Sequence, residues 1–128
     1  LQFQEQYTMP TITEGPYSGE HLISEANGTR SREVVTLSGG NHLPGTVLGM
    51  VTATGVYKQL APTAEDGTEK AAAVLFAAVD ASTADKPAVI TARDSEVQGA
   101  ALLWPAGATA SHKTTALAEL TALGIVAR

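Results

Sequence analysis

Apolar and polar residues follow one another along most of this chain in short runs broken by glycine and proline, a pattern that predicts strands and tight turns. The first clear run, Glu33-Val34-Val35-Thr36-Leu37, is β-branched and is stopped by Ser38-Gly39-Gly40-Asn41, so it reads as a strand. Pro44-Gly45 introduces Thr46 to Leu60, where Val47, Met50, Val51, Thr52, Val56 and Tyr57 are strand material and Gly49 and Gly55 mark bulges or bends. An exposed excursion from Ala61 to Lys70 carries Pro62 and the turn Glu65-Asp66-Gly67-Thr68. Ala71 to Val79 fits either a buried strand or a short helix: its alanines favour helix, while its length and the flanking Gly67 and Asp80 allow a strand. Pro87 opens another strand, Ala88-Val89-Ile90-Thr91-Ala92; Arg93 to Gln98 is polar with room for a hairpin reversal, and the apolar Ala100 to Trp104 ends at Pro105. One element is helical in pattern. Ser111 offers a cap, Thr114 to Leu123 is rich in helix formers, and Gly124 stands where a C′ glycine belongs. Ala116, Leu117, Leu120 and Leu123 make one apolar stripe on that helix, and Ile125-Val126 returns to a sheet edge. The expected class is mainly β (α+β): a small β-rich domain with one C-terminal helix and an extended N-terminal arm.

The arm is inferred from a change of character near residue 30. From Leu1 to Thr29 the chain carries Glu5, Glu14, Glu20 and Glu25 but no Lys or Arg, and it is interrupted by Pro10, Pro16, Gly15, Gly19 and Gly28. Neither helical nor strand periodicity persists. Yet Phe3, Tyr7 and Tyr17, three of the six aromatic residues, lie in this stretch, where there is no local core to receive them. The plain reading is a disordered tail with incidental aromatics; the other is a segment ordered on the surface of a partner, the simplest way to offset the roughly 1–2 kcal/mol per residue that ordering backbone costs. The division expected is residues 1–32 as the arm and 33–128 as the β-rich domain.

Composition adds a reason to expect partners. The 128 residues are 44% hydrophobic but only 5% aromatic, so the core is built of Ala, Val and Leu and each buried side chain contributes little area. One thin-cored domain of this size gains from oligomerisation. The net charge of −5 opposes direct nucleic-acid binding and binding to an anionic membrane surface. The longest apolar stretch, Ala71 to Val79, is under half of the roughly 20 residues that a bilayer span takes, and no stretch reads as a targeting leader, so a soluble chain is expected. With no cysteine there is neither a disulfide framework nor a thiolate nucleophile.

Catalytic patterns are weak. His21, His42 and His112 are far apart in sequence and form no i, i+4 pair, so a metal site is not expected. The glycine-rich stretch Ser38 to Gly49 lacks the Gly-Lys-Ser/Thr ending of a phosphate-binding loop, and there is no Gly-x-Ser-x-Gly elbow. Asp94 with Glu96 and Glu65 with Asp66 are close pairs of acids, but neither has the apolar surroundings that raise a carboxyl pKa for acid–base work; solvated faces are the simpler reading. Asn27-Gly28-Thr29, a glycosylation triplet in form, reads as a flexible turn. The least poor enzyme candidate is a hydrolase built on His42 near Ser38, against the plainer expectation of a solvated loop histidine. No cofactor is expected.

The distal part of the chain carries a resemblance. Asp66-Gly67-Thr68, Ala72-Ala73-Val74 in the run ending Ala77-Ala78-Val79-Asp80, Leu102-Leu103-Trp104-Pro105, and an Ala/Thr-rich helix with Lys113-Thr114 closing on Ile125-Val126 together resemble the head decoration protein D family of lambda-like bacteriophages. The resemblance spans Pro44 to Val126. It implies a non-enzymatic, largely β subunit that forms a homotrimer on the outer capsid surface of the virion, at three-fold and quasi-three-fold positions, after synthesis in the bacterial cytoplasm. It also implies that the arm reaches onto the major capsid protein, adds an extended segment to its sheet, and braces the expanded head against packaged DNA. Phe3, Tyr7 and Tyr17 are then the expected capsid-binding anchors, and Trp104, Pro105, Leu117 and Leu120 are expected in core or trimer packing. The longer acidic arm and the distinct Val34 to Gly49 region depart from the lambda member, so arm contacts do not transfer residue by residue. The competing readings are another virion structural component, such as a tail accessory protein, and the small hydrolase.

Overall fold

The computed structural model describes residues 14–128. In chain order its elements are β1 (Leu22–Glu25), β2 (Arg32–Leu37), β3 (Gly40–His42), β4 (Val47–Met50), β5 (Tyr57–Gln59), β6 (Ala73–Leu75), β7 (Val79–Ala81), β8 (Lys86–Thr91), β9 (Ser95–Val97), a 3₁₀ turn over Gly99–Ala101, α1 (Ala110–Ala122) and β10 (Ile125–Ala127). Five of the strands close a barrel in the order β2-β5-β4-β6-β8. Its longest ladder pairs β2 with β8 antiparallel from Arg32↔Thr91 to Leu37↔Lys86. A separate three-stranded sheet has the order β1-β9-β10, with β1 antiparallel and β10 parallel to β9. β3 and β7 form a two-stranded ribbon. The β-rich domain with a single C-terminal α-helix expected from sequence is what the structure shows.

The apolar alternation of two central strands creates two cores. In β4, Val47 joins one cluster and Leu48 the other; in β6, Val74 joins the first while Ala73 and Leu75 join the second. The first cluster lies between the barrel wall, α1 and the three-stranded sheet, with Leu60, Val97, Leu102, Ala116, Leu120 and Ile125 buried in it. The second fills the barrel with Leu37, Leu48, Leu75, Ala88 and Ile90. This settles the run from Ala71 to Val79. Successive side chains of a strand point to opposite faces, and both faces of β6 are covered, so an unbroken apolar sequence is what a strand buried on both sides requires. The run holds β6, its last residue opens β7, and no helix forms in it.

Several local expectations are revised. Thr46 to Leu60 is a hairpin of β4 and β5 rather than one interrupted strand, turned at residues 51–56 with Gly55 at φ 73°. Gly49 is not a bend: a Cβ there would stand 2.6 Å from the Cα and carbonyl oxygen of Thr68, so glycine is required by close backbone approach. The Ser38–Asn41 stop is short, since β3 begins within it at Gly40, and the polar reversal at Arg93 is made by Asp94 at φ 48° before β9 begins. The cap of α1 is Thr109, not Ser111: the Thr109 hydroxyl accepts from the His112 amide at 3.2 Å, while His112 Nδ1 accepts from the Thr109 amide at 3.2 Å. His112 thus takes the place of the usual Glu or Gln in a capping box. Gly124, at φ 87°, terminates the helix as expected. Leu22–Glu25, inside the segment 1–32 assigned to the arm, is a strand of the three-stranded sheet, with Leu22 packed on the first core.

Candidate functional site

The N-terminal segment enters the domain at a fixed point between β1 and the barrel. A turn from Tyr17 to His21 is closed by the amide of Glu20 donating to Tyr17 O at 3.0 Å and that of Leu22 donating to Gly19 O at 3.0 Å. The Gly19 amide donates to Phe76 O at 2.9 Å, and a Cβ on Gly19 would lie 2.9 Å from the Phe76 ring, so the turn sits flat on that ring. His21 is 1% exposed. Its Nε2 lies 3.0 Å from Thr91 Oγ1 on β8, and its ring meets Phe76 edge-on at 6.2 Å between centroids. The Arg32 guanidinium lies 4.0 Å from the centre of the Phe76 ring, a cation–π contact. The same guanidinium holds Glu25 in a bidentate pair, Nη2 to Oε1 at 2.6 Å and Nε to Oε2 at 3.1 Å. Burial pushes the His21 pKa down to about 4 against the opposing pull of Glu25. β1, β2, β8 and the Phe76 loop therefore converge on one clasp at the root of the segment.

Of the anchors expected on the arm, Tyr17 stands just ahead of this clasp and is 61% exposed. Its hydroxyl donates to the Glu14 carboxylate, the main cause of a raised phenol pKa, with desolvation and the nearby Glu20 adding to it. Phe3 and Tyr7 lie outside the described residues. At the other end of the chain Leu120 is fully buried, and Trp104 and Leu117 are partly buried against the same first cluster. Pro105 follows at intermediate exposure. Leu123, the last member of the helical stripe, is exposed and borders an open groove of about 560 Å³ together with Met50, Tyr57, Lys70 and Glu119.

The catalytic candidates are not brought together. His42 is no solvated loop residue: it is 8% exposed on β3, its Nε2 is buried without a partner, and no serine hydroxyl is bonded to its ring. Desolvation lowers its pKa, with the Ser38 backbone opposing. Asp94 pairs with Arg30 at 3.3 Å and Glu96 with Arg128 at 3.0 Å, so these two acids answer separate arginines. Arg128 holds the Glu96 carboxyl below its ordinary pKa, and the Thr68 hydroxyl and amide do the same for Asp66. Among the described residues no group of three or more His, Asp or Glu is placed to hold a metal ion, and no helix is long and apolar enough to cross a membrane.

Comparison with known families supplies what the chemistry does not. The family model for Bacteriophage lambda head decoration protein D matches residues 11–125. This chain belongs to that family. No curated protein matches the chain. The family match reaches well upstream of Pro44 and takes in β1, the clasp, and the Val34 to Gly49 region.

Within this family member, the residues that carried the resemblance are structural. Asp66-Gly67-Thr68 folds back onto β4: Thr52 donates to Asp66 O at 2.9 Å, Ala61 donates to Thr68 O at 2.9 Å, and Thr68 is buried. Leu102 fills the first core, and Leu103 bridges to the start of β4, donating to Gly45 O at 2.8 Å and accepting from Val47 at 3.1 Å. The clasp of His21, Glu25, Arg32 and Phe76 escaped the sequence reading. With Thr91 of β8 its members lie up to 70 positions apart, and none belongs to a motif; the nearest signal was an arginine cluster directly after an acidic segment.

Proposed function

We propose that this protein is a head cement subunit: it binds the outer surface of a phage capsid as a homotrimer and stabilises the expanded, DNA-filled head. The observation that carries the reading is membership of the head decoration protein D family over residues 11–125. The thin core and the exposed Met50 and Leu123 beside an open groove agree with a subunit that completes its burial against further copies. Trp104, Pro105 and Leu117 are placed in this reading at the junction of core and trimer boundary.

The major capsid protein is the partner, and the chain ahead of the clasp is the part that reaches it. Phe3, Tyr7 and Tyr17 act as aromatic anchors, with extended backbone between them pairing to a capsid strand edge. Three arms on one trimer share a high effective concentration, so individually modest docking sums to tight attachment where the acceptor sites match in geometry. The net charge of −5 leaves packaged DNA out of the contact.

The test is addition of the purified protein to DNA-filled heads that lack it, followed by heat or chelator challenge. Increased survival that saturates at a multiple of three copies is expected; no gain in survival overturns the reading. Deleting Leu1 to Pro16 is expected to leave a folded domain that no longer binds heads, and full binding by that truncation refutes docking through the arm. Deletion to Thr29 would be a poorer test, because it also removes β1 and His21.

A further inference from the structure

The root of the N-terminal segment is held by a histidine that is buried with half of its hydrogen-bonding capacity unused. His21 Nε2 meets Thr91 Oγ1, but His21 Nδ1 is buried with no partner. A neutral imidazole tolerates this arrangement with its proton on Nε2, donating to Thr91, and a bare lone pair on Nδ1. Protonation would place a second, charged N–H on Nδ1, shielded from water and facing no acceptor.

We propose that His21 is an acid-sensitive latch: neutral, it holds the Tyr17–His21 turn on the barrel and β1 on β9, and on protonation it releases both while the barrel stays folded. The surroundings fix the sign. On β1, Glu25 attracts a charged imidazole, but its carboxylate is already engaged by both ends of the Arg32 guanidinium on β2. The loop after β6 presents the Phe76 ring, which has Arg32 within 4.0 Å. β8 presents only the Thr91 hydroxyl, and the amide of Gln98, after β9, donates to the His21 carbonyl oxygen at 2.7 Å, away from the ring. The adjacent Glu20 is exposed. Among the described residues no acceptor is bonded to His21 Nδ1 to take the new N–H.

A histidine whose pKa is lowered in the closed state and ordinary in the released state binds more protons when released. The latch is therefore at full strength above the ordinary imidazole value of about 6.5 and weakens as pH falls from there towards about 4, by about tenfold per pH unit. Below both values no further change follows. This linkage does not depend on what the arm binds, so failure of the capsid reading and failure of the latch are separate outcomes.

Amide exchange of the full chain, corrected for intrinsic rates and followed from pH 7 to pH 4, reads it directly. The expected result is loss of protection at the amides of Gly19, Glu20 and Leu22, growing about tenfold per unit of pH, with protection in β4, β6 and β8 retained. His21→Phe, which keeps an edge-on ring against Phe76, is expected to abolish that pH dependence, whereas His42→Gln is expected to keep it. Because His21→Phe also removes the bond to Thr91, the His21 ring is titrated by NMR in the unsubstituted protein as well. Titration near 6.5, or the same acid release in His21→Phe, overturns the proposal, as does barrel unfolding in step with release.

Discussion

Gly67 is the position where a single methyl group does most damage for its size. Its φ of 107° disfavours any side chain, and a Cβ would stand 2.5 Å from the Met50 carbonyl oxygen, a backbone atom that cannot swing away. Gly67→Ala is expected to lower stability by on the order of 2 kcal/mol or more, read by urea unfolding. Leu120 lies at the contact of α1 with the first core and is wholly buried, so Leu120→Ala is expected to cost about 2–5 kcal/mol in the same assay. The helix cap offers a paired comparison: Thr109→Ala should lose about 1 kcal/mol, while Ser111→Ala, in the first turn, should change almost nothing. Equal effects at the two positions would show that the Thr109–His112 box contributes little. At this scale the sequence was misleading about the cap because Ser111 and Thr109 are both good capping residues; the choice between them is made by where the chain arriving from Pro105 first turns helical.

Among the elements, β1 is the one whose removal separates two roles of the N-terminal region. Cutting at Pro16 spares the Tyr17–His21 turn, whereas cutting at Thr29 leaves β9 paired only with β10 and uncovers the side of the first core where Leu22 packs. The longer truncation is therefore expected to melt at a clearly lower temperature than the shorter, which should stay within a few degrees of the full chain by calorimetry. The same element marks the limit of what the sequence disclosed. β2, the β8 core and α1 were legible because branched side chains, prolines and a helical stripe set them off. β1 was not: Leu-Ile-Ser-Glu has both middle residues exposed, so it lacks the alternation that betrays a half-buried strand. Its pairing comes from β9, 70 to 75 positions along the chain. β6 within Ala71 to Val79 was likewise hidden, since a strand covered on both faces shows no period of its own. The clasp was illegible for the same reason as β1, being assembled from four separate strands and loops.

For the whole molecule, the two thin cores and the family membership lead to one expectation about assembly. If three copies complete one another's burial, unfolding is coupled to dissociation, and the melting temperature should rise with protein concentration. Sedimentation of the full chain over the same range should show the trimer wherever the shift is seen; a constant melting temperature and a monomer throughout would count against association in the absence of heads. The barrel brings a consequence of its own. β2 and β5 meet at a single pair, Leu37 and Tyr57, reinforced by the Ser38 amide donating to Tyr57 O at 2.9 Å. A ring fastened by one button opens at the button, so thermal breathing should begin at that seam and briefly bare two unpaired strand borders. Those borders are the natural starting place for unwanted strand-to-strand clumping on heating, and extra bonding across the Leu37–Tyr57 junction is where shelf life would be improved.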